Sequence, residues 1–315
     1  MYPVIRRLLL IAAVLTLGLP SGVAAGHKIG VLLKGRTKFW SVVEQGAQAA
    51  GAKLGAEVIV KAPPNESDIA IQIQMLNALA AQGVEAIVIA PGNKDTLAQP
   101  AAALAAKGIK IIVIDSPLDG NIGSAFVGTN HHSAGEAAGR LLAGLVGESD
   151  EVAIFRHAQN NGATGDREVG ASAALKAAHP KAIVHGDIYA GNEMLEQTER
   201  ANLLLTKYPG TKGVLASGTP GTLAMMGVLA HHAPVGAIKF VGFGFNLNDE
   251  VAAALEAGIL HGWIAQQPRE IGAKGVEVAL DILAGKSVPP VVSIDVYVVT
   301  KANLHEPATQ ALLKL

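Results

Sequence analysis

The chain has 315 residues, of which 50% are hydrophobic and 16% are charged, and its formal net charge at pH 7 is −1. This length is enough for one large or two medium α/β domains, and the charge excludes the basic surface typical of nucleic-acid-binding proteins. The chain has no cysteine, which excludes disulfide bonds and a lipid-modified cysteine.

Residues 1–25 have the pattern of an export signal. Arg6 and Arg7 precede an apolar run over residues 8–19, and small residues follow at positions 23–25. The apolar run is shorter than the ~20 residues that span a bilayer, so we predict a cleaved signal peptide. An uncleaved anchor is the alternative. Cleavage would leave a formal charge of about −3 on the mature chain.

From residue 27 onward, short apolar strands alternate with helical segments. In the first half, strands are predicted at residues 27–33, 56–62, 85–91, 110–116 and 124–130. Helices are predicted there at residues 39–54, 67–82, 96–107 and 133–146. The second half continues with strands at residues 151–157, 182–190, 212–218, 238–244, 260–266 and 291–300. Its helices are predicted at residues 165–178, 194–208, 222–231, 249–257 and 269–283. Continuous apolar strands joined by helices indicate an α/β fold with two parallel sheets, divided near residue 130.

Folds of this kind bind ligands beyond the carboxyl ends of their strands, so the residues that follow each strand are the candidates. Phe39 and Trp40 lie there, side by side, in a chain with only 4% aromatic residues. A flat aromatic face at this edge can pack on the apolar face of a sugar or polyol. The alternative is that both belong to the core, because Phe39 shares a helical stripe with Val42 and Val43.

Polar residues after three other strands each have two interpretations. Arg167 can donate a fork of hydrogen bonds to hydroxyls or carboxylates in a pocket, or form a surface salt bridge with an acidic neighbour. Asp115 can accept two hydroxyl hydrogen bonds, or act as a turn residue before a Ser-Pro pair. Asn130 can bind a ligand through its amide, or cap the helix that follows it.

Motifs for metal binding and catalysis are weak. The pairs His131-His132 and His231-His232 would chelate a metal poorly, because adjacent residues on a helix point in different directions. We therefore predict no metal site. Residues 280–287 end like a phosphate-binding loop but lack its first glycine, and no dinucleotide-binding or nucleophile motif is found. We expect no enzymatic activity.

The mature chain resembles the type I periplasmic solute-binding proteins of ABC importers, in their ribose-binding branch. The resemblance covers nearly all of it. It is seen in KFWSVVEQGAQAAGAKLG, ALAAQGVEAIVIAP, GIKIIVIDS, GTNHHSAGEAAG, REVGASAAL and VGFG, and most specifically in IAQQPREIGAKGVEVALDILAGK.

The resemblance implies two Rossmann-like lobes, each a parallel sheet flanked by helices, joined by a three-crossing hinge with a central ligand cleft. The crossings are expected near residues 129–130, 266–267 and 293–295. The expected lobes are residues 27–129 plus 267–293 for the N-terminal lobe, and residues 130–266 plus 294–315 for the C-terminal lobe.

It also implies ligand contacts, residue by residue. The family's pocket positions fall on Phe39, Trp40, Asp115, Asn130, Arg167 and Gln266. Thr37, Phe245 and Asn246 lie in the same strand-end segments, and we add them as candidates, with Phe245 as a new wall of the pocket.

Three positions depart from the ribose-binding pattern. Gly218 and Thr219 replace an Asn-Asp pair, Gly244 replaces an Asp, and Ser116 replaces an Arg. These changes disfavour ribose itself and indicate a less polar, larger or differently shaped ligand.

Two basic residues beside the aromatic pair raise the question of whether the ligand is neutral or acidic. Arg36 and Lys38 would suit an acidic sugar derivative if they faced the ligand. The alternative, which we favour, is that they are solvated charges at the edge of the cleft.

The function implied is that of a periplasmic receptor that clamps a sugar, polyol or similar hydroxylated molecule and presents it to an ABC permease in the inner membrane. It requires no cofactor, no metal and no nucleic acid, and a monomer suffices. One alternative is a sensor that presents the same ligand to a chemoreceptor or a sensor kinase. An exported α/β enzyme is another. A transcription repressor of the related fold would need an N-terminal helix-turn-helix, where this chain has the signal segment.

Overall fold

The computed structural model describes residues 26–313, except residues 121, 160, 192–193 and 233. The predicted signal peptide at residues 1–25 lies outside the described residues. Of the helices within the described ranges, none is both long enough and apolar enough to cross a membrane.

Two six-stranded sheets organise the described chain. The first contains β1 (Lys28–Leu32), β2 (Glu57–Lys61), β3 (Ala86–Ile89), β4 (Lys110–Ile114), β5 (Ala125–Thr129) and β11 (Val291–Ile294), in the order β11-β5-β4-β3-β1-β2. The second contains β6 (Glu151–Phe155), β7 (Ile183–His185), β8 (Thr211–Ala216), β9 (Lys239–Gly244), β10 (Gly262–Ala265) and β12 (Tyr297–Val299), in the order β12-β10-β9-β8-β6-β7.

Helices cover both faces of each sheet. The first sheet packs against α1 (Lys38–Leu54), α2 (Ile69–Ala81), α3 (Ala98–Ala105) and α9 (Pro268–Leu283). The second packs against α4 (His131–Ala143), α5 (Gly162–Ala178), α6 (Met194–Lys207), α7 (Thr219–Ala230) and α8 (Asp249–Ala257). A further helix, α10 (Pro307–Leu313), was not predicted from the sequence. We call each sheet with its helices a lobe, the first and the second.

The strand pairs agree with the predicted fold class, which is confirmed. Every pair of strands described is parallel, except that β12 runs antiparallel to β10 at the edge of the second sheet. The inner strands are almost wholly buried because helices cover both faces, which explains their continuous apolar sequences, whereas the edge strands β2, β7, β11 and β12 are partly exposed.

The single strand predicted at residues 291–300 is wrong. The segment forms β11, which pairs with β5 in the first lobe, and β12, which pairs with β10 in the second. No glycine or proline interrupts the sequence there, so the local pattern is that of one strand. The division arises because each half pairs with a different sheet.

The chain passes between the lobes three times, and each passage follows the end of a strand. It leaves β5 at Asn130 and enters α4, which packs on the second sheet. It leaves β10 at Gln266 and Gln267 and returns through α9 to the first sheet. It passes from β11 to β12 through Asp295 and Val296.

Glycines let one pair of helices in each lobe approach at backbone distance. In the first lobe, a Cβ on Gly46 of α1 would lie 2.0 Å from the carbonyl oxygen of Arg269, and one on Gly272 of α9 would lie 2.0 Å from that of Val43. In the second lobe, a Cβ added to Gly135 of α4 would lie 2.1 Å from the carbonyl oxygen of Arg167. This close packing sets the position of Arg167 relative to α4.

We expect Gly272→Ala to destabilise the protein although alanine is the better helix former. The added methyl group meets a backbone atom that cannot move aside, and overpacking of this kind costs about 1–3 kcal/mol. The matched control is Gly227→Ala in α7, where nothing lies within 4 Å of the added atom. That variant should gain up to ~1 kcal/mol from helix propensity. Urea unfolding of both variants tests this, and equal stabilisation by the two substitutions would contradict it.

Candidate functional site

The carboxyl ends of the strands in the two lobes face one another, and aromatic rings meet there. The ring of Phe39, at the start of α1, contacts the ring of Phe245, which follows β9, edge to face with centroids 5.3 Å apart. Phe39 belongs to the first lobe and Phe245 to the second, so this contact spans the cleft.

Trp40 has a different position from its neighbour. Its side chain is only 3% exposed and packs in the core of the first lobe, as the core interpretation predicted, whereas Phe39 is half-buried. The indole Nε1 donates a hydrogen bond to Glu66 Oε1 at 2.7 Å, and the Lys34 ammonium lies 5.5 Å from the ring centroid. Trp40 therefore contacts two polar side chains, those of Glu66 and Lys34, from the core of the first lobe.

A buried ion pair forms the first-lobe side of the cleft. The Lys34 ammonium donates a hydrogen bond to Asp115 Oδ2 at 2.8 Å and another to Ser116 Oγ. Burial is the largest single effect and raises the pKa of Asp115, but the surrounding positive groups, Lys34 first among them, together outweigh it, so the pKa lies below its usual range. Among the described residues other than glycine, Asp115 alone has a positive φ, of 62°. That conformation is costly, and such strain concentrates at functional sites.

His131 connects this pair to the second lobe. Its Nε2 lies 2.6 Å from the carbonyl oxygen of Asp115, so Nε2 carries the proton and donates it. Its Nδ1 is then the acceptor, and Arg167 Nε donates to it at 3.2 Å. Burial, and then the Arg167 charge, lower the pKa of His131 from 6.5 to about 3. The imidazole is therefore neutral near pH 7.

Arg167 is buried, with 4% of its surface exposed, and does not form the predicted alternative salt bridge with a neighbour in sequence. Its Nη1 donates to the carbonyl oxygen of Ser217 at 2.9 Å, and the guanidinium lies 4.7 Å from the ring centroid of Phe243. Burial lowers the pKa of Arg167 to about 10, which leaves it charged near pH 7. Its contacts with the described residues use at most three of its five N–H groups.

Glu168 organises the second-lobe side. Its carboxylate accepts hydrogen bonds from Arg156 Nε at 2.6 Å and from Ser217 Oγ at 2.7 Å. The same carboxylate accepts a bond from the backbone N–H of His157 at 3.2 Å. The loops after β6 and β8 are therefore held together by one buried acid.

The remaining predicted residues have varied positions. Asn130 is exposed, and its Oδ1 accepts a hydrogen bond from the Ser133 N–H at 3.1 Å, so it caps α4 as the capping alternative predicted. Gln266 is buried, and its Oε1 has no hydrogen-bond partner among the described residues. Thr37 is exposed at the start of α1, and Asn246 is half-buried after β9.

Sequence reasoning missed Lys34, Glu66, His131 and His157. Each follows a strand, which is the signal that could have found them. Lys34 and Glu66 look like ordinary surface charges, and His131 was considered only as a metal ligand paired with His132. The two histidines have different environments in the structure, because His131 is buried in the cleft whereas His132 is exposed.

Two lobes of parallel sheet, with buried polar side chains and facing aromatic rings between their strand ends, define a two-lobed α/β ligand-binding protein. Comparison with known proteins gives the particular family. The periplasmic binding protein domain family matches residues 29–287. The chain belongs to this family, and the resemblance predicted from the sequence is confirmed.

Several relatives have names that state a sugar. The D-allose-binding periplasmic protein of Escherichia coli strain K12 is 27% identical over 279 residues, which is 85% of this chain and 88% of that protein. The ribose import binding protein RbsB of the same strain is 26% identical over 263 residues, or 84% of this chain and 86% of that protein.

Solved structures agree closely in fold. A carbohydrate transporter solute-binding protein from Agrobacterium radiobacter, in complex with D-arabinose, has a TM-score of 0.86 and 28% identity, over 92% of this chain and all (100%) of that chain. An ABC transporter solute-binding protein from Agrobacterium vitis, bound with α-D-tagatopyranose, has a TM-score of 0.85 and 26% identity, over 92% and 99%.

We expect His131 to make the stability of the protein depend on pH. In the unfolded chain, His131 takes up a proton as the pH falls below 6.5. In the folded chain, it takes up a proton only near its folded pKa of about 3. Stability is therefore lost as the pH falls through this window, by up to about 1.4 kcal/mol per pH unit. His131→Gln should flatten the pH dependence of urea unfolding between pH 6.5 and 4.5. The exposed His232→Gln is the control, and the same slope in wild type and His131→Gln would refute the assignment.

Proposed function

We propose that this protein is the periplasmic substrate-binding component of an ABC importer, and that it clamps a sugar, polyol or similar hydroxylated small molecule between its lobes. The observation that carries the proposal is the pairing of aromatic rings with buried polar groups at the facing strand ends. Phe39 and Phe245 supply apolar area, and Asp115 and Arg167 supply acceptors and donors. Sugars present both kinds of surface.

Hinge closure is the proposed mechanism. We take residues 27–129 plus 267–293 as the N-terminal lobe and residues 130–266 plus 294–315 as the C-terminal lobe. The assignment of β11 to the first sheet and β12 to the second supports these bounds. A ligand that contacts both lobes favours the closed form over the open one, and the closed shape is what the permease recognises.

The charges around the cleft favour a neutral ligand. The cations Lys34, Arg156 and Arg167 are balanced by the carboxylates of Asp115, Glu168 and Glu66. An acidic sugar derivative would add a fourth negative charge against three cations and leave the buried cleft with a net negative charge, which is unfavourable. Arg36 and Lys38, the residues that would suit an acid, are exposed, as expected for solvated charges.

The importer role needs no catalytic step, cofactor or metal, and no nucleic acid. Its partners are the carbohydrate or polyol and the permease, with a monomer as the working unit in the periplasm. A chemoreceptor or sensor kinase would use the same closed form as its signal. We favour the importer because relatives are named as import binding proteins and as transporter components.

A panel of sugars should stabilise the protein against heat. The chain from Gly26 onward, freed of bound ligand by unfolding and refolding, is heated with D-allose, D-ribose, D-arabinose, D-fucose, D-tagatose, polyols or sugar acids. A ligand at a hundred times its Kd adds ~2.7 kcal/mol, which is a rise in Tm of roughly 5 °C or more. We expect a neutral sugar to raise the Tm more than its acid derivative does. A well-folded protein stabilised by none of them would refute the proposal.

Arg167→Lys should weaken the binding of the stabilising sugar by at least about tenfold, or ~1.4 kcal/mol. Lysine keeps the positive charge but cannot present the planar fork of N–H donors. The control is Arg140→Lys on α4, where the arginine side chain is 61% exposed. Titration calorimetry measures both variants. Wild-type affinity in a folded Arg167→Lys protein would remove this residue from the binding site.

A further inference from the structure

The second lobe lacks polar side chains at Gly218 and Gly244. In the structure, a different neighbouring ring lies next to each of these two glycines. At Gly244, an added Cβ would lie 1.8 Å from the ring of Trp263. Trp263 is fully buried, so the indole occupies the space that a larger side chain at residue 244 would need. The side-chain space at residue 244 is therefore filled by an indole, whose buried Nε1 has no hydrogen-bond partner among the described residues.

At Gly218, the neighbouring group is polar. An added Cβ would lie 3.3 Å from both Cγ and Nδ1 of His157. The two residues are neighbours at the carboxyl edge of the sheet, because β6 pairs with β8 up to Phe155 and Ala216. The imidazole of His157 therefore covers the backbone of Gly218, next to where a side chain at residue 218 would begin.

His157 has an unsatisfied polar atom in this position. Its Nδ1 is buried, and no hydrogen-bond partner for it is found in the part of the chain that the structure describes. Buried polar groups nearly always have a partner, so an unpaired one in a binding cleft indicates a group that a ligand satisfies.

Charged groups of both lobes surround the ring. Burial has the largest effect and lowers the pKa of His157. Glu66 and Glu168 act to raise it, and Lys34 and Arg167 act to lower it. Glu66 and Lys34 belong to the first lobe, so charges of both lobes act on the ring, and the lowered pKa leaves it neutral near pH 7.

We propose that His157 is a specificity-determining residue of the cleft, and that it binds one ligand hydroxyl in place of the side chain missing at residue 218. This rests on the proposed function. Glu66 is the opposing group of the first lobe. With the proton of the neutral imidazole on Nδ1, a ligand hydroxyl can accept from the Nδ1–H of His157 and donate to the Glu66 carboxylate. An ammonium group or a hydrogen at the same ligand position cannot do both.

The test compares two variants with a series of ligands. His157→Ala removes the ring, and His157→Phe keeps a ring of similar size against Gly218 without the hydrogen bond. The exposed His232→Ala is the control. Calorimetry with D-allose, D-ribose, D-arabinose, D-fucose and D-tagatose, and with the monodeoxy analogues of whichever sugar binds, gives the Kd values. Urea unfolding of each ligand-free variant reports on the fold.

We expect both His157 variants to bind the sugar at least tenfold more weakly than wild type and the control. One monodeoxy analogue should bind wild type at least tenfold more weakly than the parent sugar, and the variants should not distinguish the two. That loss of discrimination reports on the contact itself, which a purely structural residue would not change. If His157→Ala does not fold, His157→Phe answers the same question.

Three results would overturn the proposal. Unchanged sugar affinity in both variants would exclude His157 from the site and leave the proposed function intact. Equal weakening of the sugar and all its deoxy analogues would mean that His157 acts only through the fold. Wild type that binds none of the sugars, polyols and sugar acids of the thermal panel would overturn the proposed function, and the role of His157 with it.

Discussion

The site depends on one buried polar chain, which runs from Arg167 through His131 to the backbone of Asp115. These groups are almost completely removed from water, and taking the two charges out of water costs several kcal/mol each unless partners compensate. Lys34 compensates the carboxylate, and a neutral imidazole and a carbonyl oxygen receive the guanidinium N–H groups. The chain joins residues of both lobes beside the crossing at Asn130, because His131 is the first residue of α4.

Close helix packing makes this chain possible. Gly135 and Gly170 allow α4 and α5 to approach at backbone distance, which places His131 on one helix beside Arg167 on the other. The first lobe uses glycines in the same way between α1 and α9, and α1 carries Phe39. The same packing device therefore holds rigid the helices from which both sides of the cleft are built, and rigid supports are what a precise binding site requires.

The departures from the ribose-binding pattern become intelligible in three dimensions. The loss of polar side chains at Gly218 and Gly244 is accompanied by an imidazole over the first and an indole over the second. The first position is thus covered by the polar ring of His157, and the second is filled by the larger ring of Trp263. Phe245 meets Phe39 nearby, which adds to the apolar surface.

The sequence by itself determined the fold class, the alternation of strands and helices, and the strand end at which Asp115 lies, because apolar periodicity can be read from neighbouring residues alone. It did not determine that residues 291–300 divide between two sheets, since the pairing partners are distant in sequence. Nor did it identify Lys34 and His131 as cleft residues. A lysine is a surface charge or a buried partner depending on whether Asp115, 81 positions away, comes within hydrogen-bond distance. Only the tertiary structure brings such pairs together and removes them from water, and that removal gives the site its chemistry.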